Sequence, residues 1–324
     1  MEYVSPQIRR FISDVMSKYL KKTWVLCLLA SVSCFLWGSA FPGVKIGYEW
    51  FQIASDETAA QILFAGCRFF LAGILVIFFG SLAAGKFLLP SGEQWKHASL
   101  ISLFQTILQY ILFYIGLAHT AGTKAAIIVG SNVFIAILTA SLIFRQEKLT
   151  REKILGCAIG FAGVVLINWL PGGMSLAVSF VGEGLVLLST VAYAFSSVIM
   201  KKYSRIDNPV MLSGYQFLIG GIVMTVVGFC MGGRISVPSG KAALMLLYLA
   251  FASAMAYTIW SQLLKYNPVS RVAVFCFMTP VFGVILSALL LHESEQISII
   301  QGAAALALIT FGIIVSYREK PLTV

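Results

Sequence analysis

The sequence predicts an all-α integral membrane protein, with ten transmembrane helices arranged as two inverted five-helix repeats. Three observations predict it. Of 324 residues, 59% are hydrophobic and only 11% charged, with a mean hydropathy of +0.90. Soluble domains carry about a quarter charged residues, and no soluble fold could bury this much apolar surface. Apolar runs long enough to cross about 30 Å of hydrocarbon recur ten times. The second five of them copy the first five in order.

Ahead of the first run lies PQIRRFISDVMSKYLKK, from Pro6 to Lys22. Ile8, Phe11, Ile12, Val15, Met16, Tyr19 and Leu20 fall on one helical face, and the cations fall elsewhere. Ser5-Pro6 provides a helix start. Residues 1–23 are therefore expected to form an amphipathic helix on the cytoplasmic membrane interface, held by anionic lipid. A disordered basic tail is the alternative. The first apolar run begins only near Trp24 and spans a full bilayer, which does not fit a cleavable signal.

The ten predicted spans are 24–44, 59–80, 97–117, 122–144, 153–170, 182–202, 210–231, 241–263, 269–291 and 296–316. The connections alternate in charge. The 45–58 loop carries Glu49, Asp56 and Glu57; the 145–152 loop carries Arg145, Lys148 and Arg151; Lys201, Lys202 and Arg205 flank the 203–209 loop. With ten spans every strongly basic connection shares one side, so the positive-inside rule places both termini in the cytoplasm. Arg234 and Lys241, in an outer loop, dissent. The same placement accounts for the net charge of +10 without nucleic acid, since the cations occupy loops rather than one face.

GCRFFLAG at residues 66–73 aligns with GYQFLIGG at 214–221, and the same offset brings Gly80 onto Gly228. Slightly shifted, Tyr110 meets Tyr257, Lys124 meets Arg271 and Glu147 meets Glu293; WGSAFPGVK at 37–45 meets YAFSSVIMK at 193–201. Such ordered matches mark a duplicated unit: repeats at 24–170 and 182–317, with a short tail at 318–324. Five helices is an odd number, so the second copy is inverted in the membrane. That architecture belongs to transporters with a substrate site near the midplane between the repeats.

At this point the chain resembles a known family. Two five-helix halves, WGSAF ending span 1, RFFLAG in span 2, FRQEKLT between spans 4 and 5, and LLHESEQIS between spans 9 and 10 look like the EamA-type branch of the drug/metabolite transporter superfamily. The resemblance covers residues 24–317. It implies an export-type carrier whose central cavity is lined by spans 1–4 and 6–9, with 5 and 10 peripheral. One departure stands out. The family often has proline in mid span 4 and mid span 9; Pro280 is present in span 9, but span 4 reads GSNVFI, with Gly130 as the possible substitute.

Candidate binding residues follow from what a membrane interior tolerates. Pro42 and Pro280 can loosen spans 1 and 9 and free backbone groups for a ligand. Ser39 stands beside Pro42. Trp37, Tyr110, Tyr193, Tyr257 and Trp260 lie inside spans, where their N–H and O–H groups want partners. Trp37 with Tyr193, and Tyr110 with Tyr257, are repeat-related pairs suited to opposite walls of one cavity. Gln105, Gln109, Asn132, Ser197 and Gln216 are uncharged polar groups that either bond neighbouring helices or bind substrate. Gln105 and Gln109 share a face at helical spacing. Arg68 replaces the Gln216 of the other copy. About 12 Å deep in its span, it either snorkels outward, takes a structural partner, or faces the cavity.

Absences narrow the chemistry. No Asp or Glu lies mid-span, which argues against a shared proton and cation site. Nor is there a central cluster of cations for sugar phosphates. The six cysteines and three histidines lack metal-ligand spacing, so no metal or other cofactor is expected. Neither is an enzyme, since no cluster of acids or histidines serves acid–base work. The expected function is a secondary transporter, exporting small neutral or zwitterionic metabolites such as amino acids across a bacterial plasma (inner) membrane. The alternatives are an organic-phosphate or nucleotide-sugar antiporter using Lys124 or Arg271, and a membrane-embedded lipid enzyme. The expected partners are a small-molecule substrate and membrane lipid. Gly156-x-x-x-Gly160 either packs helices within one chain or makes a weak homodimer face.

Overall fold

A computed structural model describes residues 18–120, 122–167, 179–291 and 299–317. Most of the expected interfacial helix, the 318–324 tail and Glu293 lie outside the described residues. Ten helical spans cross the molecule, and no strand occurs among the described residues. They are α1 (Thr23–Trp50), α2 (Thr58–Ala84), α3 (Gly92–Leu117), α4 (122–143), α5 (Arg151–Ile167), α6 (Phe180–Ser204), α7 (Pro209–Cys230), α8 (Gly240–Tyr266), α9 (269–291) and α10 (Ile299–Tyr317).

Local chemistry sets several ends. Asn208 caps α7, accepting from the Val210 and Met211 amides, with Pro209 in the first turn. Gly85, at φ +62°, turns the chain left-handed after α2. One boundary departs from expectation. Residues 45–58 are predicted as a loop, yet α1 continues through Pro42 to Trp50. Proline does not end this helix because neighbours support it: a Cβ on Gly43 would lie 3.0 Å from Leu249, and one on Gly47 would lie 3.0 Å from Phe64.

The packing shows the inversion directly. The central pair is α2 with its repeat mate α7. Gly66 abuts Thr225, Gly73 abuts Leu218 and Gly80 abuts Val210. As one number rises the other falls, so the two helices are antiparallel. The contacts also exchange under the offset of 148 that separates Gly66 from Gly214. Gly66 on Thr225 becomes Gly214 on Ile77, and Gly73 on Leu218 becomes Gly221 on Phe70. The same holds elsewhere, since α1 packs on α8 and α9, while α6 packs on α3 and α4. Helices α5 and α10 pair with each other, Gly156 against Gly312 and Ser316, and Gly163 against Ala305 and Ile309. The G-x-x-x-G of α5 is thus used within the chain.

One end of the bundle holds both described chain ends, tied near the start of α9. Asn267 Nδ2 donates to Leu20 O at 3.0 Å, and Tyr317 Oη donates to Arg271 O at 2.7 Å. Of the lysines and arginines in the described residues, fourteen lie at this end, four at the opposite end, and Arg68 in the interior. Buried charged side chains close this end. Glu147 accepts from the Ser270 amide at 3.0 Å, from the Ser270 hydroxyl, and from Lys153 Nζ at 3.1 Å. Lys201 Nζ donates to Leu264 O at 3.1 Å and to Asn267 O. The carboxylate meets the start of α9 and the ammonium meets the end of α8, each complementing the helix dipole it faces.

Candidate substrate site

Halfway along the helices an aromatic cluster sits on the pseudo-two-fold axis. Three repeat-related pairs build it. Trp37 meets Tyr193 edge-on, with centroids 6.4 Å apart. Phe69 stacks on Phe217 at 5.3 Å. The hydroxyls of Tyr110 and Tyr257 lie 3.1 Å apart. Trp37 also packs at 5.0 Å from Tyr257 and 4.9 Å from Trp260, while Phe69 packs at 4.5 Å from Tyr110. Five sequence-predicted aromatics (Trp37, Tyr110, Tyr193, Tyr257 and Trp260) are thus brought together. The pairs touch across the axis rather than standing on opposite walls. The sequence reading missed Phe69 and Phe217, although both lie inside the matched repeat segment.

Several of the predicted polar residues carry buried polar atoms without partners. They include Trp37 Nε1, Gln105 Oε1, Gln109 Oε1, Asn132 Oδ1 and Gln216 Nε2. A buried, unpaired donor or acceptor costs about 1–3 kcal/mol. Gln105 lies inside a widened turn, where residues Leu103–Leu108 form a π-helix, and Gln109 follows it directly. Their expected shared α-helical face is therefore interrupted, because a π turn takes in an additional residue.

Helices α4 and α9 are irregular at equivalent depths. The α-helix of α4 runs Gly122–Gly130, turns at Ser131 and resumes at Asn132. Ser131 Oγ donates back to Ile128 O at 2.6 Å. The break thus forms at GSN without a proline. In α9 a 3₁₀ turn spans Val274–Phe277, just ahead of Pro280. Pro280 offers no N–H to the Cys276 carbonyl, and the turn before it tightens.

The remaining predicted residues serve packing. Ser39 accepts from Tyr248 Oη at 2.7 Å and donates to Leu36 O at 2.8 Å, joining α1 to α8. Pro42 is buried inside α1. Ser197 bonds back to Tyr193 O at 3.2 Å. Arg271 is far from the cluster, with its guanidinium over the Tyr317 ring.

Of the readings open for Arg68, the structure shows a partner within the protein. It does not snorkel: the residue is 5% exposed, and its Nε and Nη2 donate to Ser253 Oγ on α8 at 2.9 and 2.8 Å. The second repeat places Gln216 Oε1 against Thr106 Oγ1 at 2.6 Å. Ser253 matches Thr106 under the offset that matches Tyr257 to Tyr110, so the two polar pairs are images of each other. Ser253 and Thr106 escaped the sequence reading because a lone hydroxyl in a span carries little signal until its partner is known.

An inverted pair of five-helix repeats, with a polar and aromatic centre on their shared axis and broken helices beside it, is the architecture of a membrane transporter. The comparisons agree. The chain belongs to the EamA-like transporter family, whose model matches residues 24–169 and 180–318. It is 28% identical over 307 residues to the uncharacterized transporter YvbV of Bacillus subtilis, covering 94% of this chain and 95% of that one. It is 28% identical over 291 residues to the uncharacterized inner membrane transporter YedA of Escherichia coli, covering 89% of each. A solved crystal structure shares the fold, with a TM-score of 0.73 at 20% identity, over 90% of this chain and 96% of that chain.

Proposed function

We propose that this transporter exports small neutral or zwitterionic metabolites, such as amino acids, across a bacterial plasma membrane by alternating access. One observation carries the reading: repeat-related aromatics meet on the pseudo-two-fold axis, and one of them, Trp37, holds a buried indole N–H that lacks a partner. Aromatic walls take an apolar side chain, and the unpaired amide and indole groups take its polar head. Because the repeats are inverted, exchanging their two conformations exposes the same centre to the other side. The excess of cations at the end bearing both described chain ends supports placing that end in the cytoplasm. No group of three or more acids, histidines or cysteines suited to a metal occurs among the described residues.

The test is counterflow in proteoliposomes over labelled amino acids, their amides, nucleosides, polyamines and sugar phosphates. Amino acids are expected to move, and Trp37→Ala to slow them at least tenfold without loss of folded protein. Unchanged kinetics in Trp37→Ala would remove the cluster from the pathway.

A further inference from the structure

Arg68 is a buried cation without an anion. Its guanidinium is permanently charged, and removing an ion from water costs several kcal/mol unless a partner repays it. Among the described residues no carboxylate lies within ion-pair distance of it, and none occurs in the middle of any span. Both bonds it makes run from Nε and Nη2 to a single oxygen, Ser253 Oγ, while Nη1 donates to no described group. Ser253 is itself fully buried and donates to Leu249 O at 2.9 Å. The guanidinium lies 5.2 Å from the Phe69 ring centroid, against the wall of the aromatic cluster. The second copy keeps the hydroxyl partner, Thr106, but has the neutral Gln216 in place of the cation. The fold therefore needs only a polar side chain here, and the charge is an addition made on one side of the axis.

We infer that Arg68 is the group that recognises the substrate's carboxylate. Resting on the reading of a transport site at the aromatic cluster, the inference fixes how the substrate lies in it. The Nε–Nη2 edge, now shared by one hydroxyl, matches the two oxygens of a carboxylate, the geometry for which arginine is preferred over lysine. Ser253 holds the edge in place, and the carboxylate takes it over on binding. The rest of the solute then extends over Phe69 toward Tyr110 and Trp37. A single cation on a two-fold-related pair of positions gives a substrate only one orientation. It also selects against amides and amines, which leave the guanidinium unpaired.

The test uses the full chain in lipid nanodiscs, with melting followed by tryptophan fluorescence. L-phenylalanine, L-leucine and L-glutamine are each compared with their C-terminal amides in a chloride-free methanesulfonate buffer. For the wild type, at least one amino acid is expected to stabilise at a concentration at least tenfold lower than its amide. Arg68→Gln, which copies the second repeat, is expected to abolish that difference. Should Arg68→Gln fail to fold, Arg68→Lys reads the same point: charge without the fork should keep a weakened preference. Ser253→Ala is expected to keep the preference, because the guanidinium remains. Equal response to acid and amide in the wild type, or a preference surviving in Arg68→Gln, overturns the inference. So does stabilisation by added chloride alone, which makes Arg68 the seat of a resident inorganic counter-ion. Trp37-dependent counterflow of nucleosides or polyamines, with no amino acid moved, overturns the role of Arg68 and leaves the transport site standing. No counterflow of any solute overturns both.

Discussion

The hydroxyls of Tyr110 and Tyr257 meet 3.1 Å apart, each the repeat image of the other, so the bond lies on the axis that relates the two halves. Neither oxygen is replaceable alone. Tyr110→Phe leaves the buried Tyr257 hydroxyl without this partner, and the converse holds for Tyr257→Phe. Each single change is expected to cost about 1 kcal/mol. The double change should cost less than the sum, because it removes both polar groups at once. A double-mutant cycle on equilibrium unfolding in detergent measures this. Strict additivity would show that the two hydroxyls do not interact.

The glycines between α2 and α7 set how closely the repeats approach. A Cβ on Gly221 would lie 2.3 Å from the backbone nitrogen of Phe70, and one on Gly73 would lie 2.7 Å from that of Leu218. Backbone cannot swing aside as a side chain does. Gly221→Ala and Gly73→Ala are therefore each expected to destabilise by about 1–3 kcal/mol, the usual cost of overpacking. Gly92→Ala, where nothing lies within 4 Å, is the control and should leave the melting temperature unchanged. Thermal unfolding in nanodiscs compares the three.

These contacts also show what the sequence made legible. Glycine spacing at Gly66, Gly73 and Gly80, repeated at Gly214, Gly221 and Gly228, announced a duplicated helix, and the odd helix number announced the inversion. Both concern periodicity, which survives in one dimension. The aromatic centre was legible for the same reason, because Tyr110 and Tyr257 share a repeat offset. What stayed hidden depends on neighbours distant in the chain. The extension of α1 past Pro42 needed the support of Leu249 and Phe64, and the burial of Arg68 needed Ser253, 185 residues away. The widened turn at Leu103–Leu108 has no residue signature at all.

Glu147 is expected to hold α9 shut against the 4–5 connection. It is the acceptor for the Ser270 amide and hydroxyl and a partner of the buried Lys153. Glu147→Ala leaves a helix start uncapped and removes a buried ion-pair partner, a loss that typically costs about 3–5 kcal/mol. Glu147→Gln keeps an acceptor for the amide and should cost less. Hydrogen exchange at the first turn of α9 checks the mechanism: protection at Ser270 should fall in Glu147→Ala ahead of the remainder of the bundle. Uniform loss of protection would make Glu147 a general contributor to stability rather than a closure.

Asn132 separates a structural role from a transport role most sharply. It is 4% exposed, sits just after the break in α4, and its Oδ1 has no hydrogen-bond partner. A group buried in that state lowers stability by about 1–3 kcal/mol relative to an apolar side chain of similar shape. Asn132→Leu is therefore expected to raise the melting temperature. If the amide completes its bonds only with substrate, the same change should reduce counterflow at least tenfold. Stability and function would then move in opposite directions, as they do where a protein retains an unfavourable group for its ligand. A fall in both would place Asn132 among the residues that hold helices together, and the unpaired oxygen would then find its partner within the protein in another conformation.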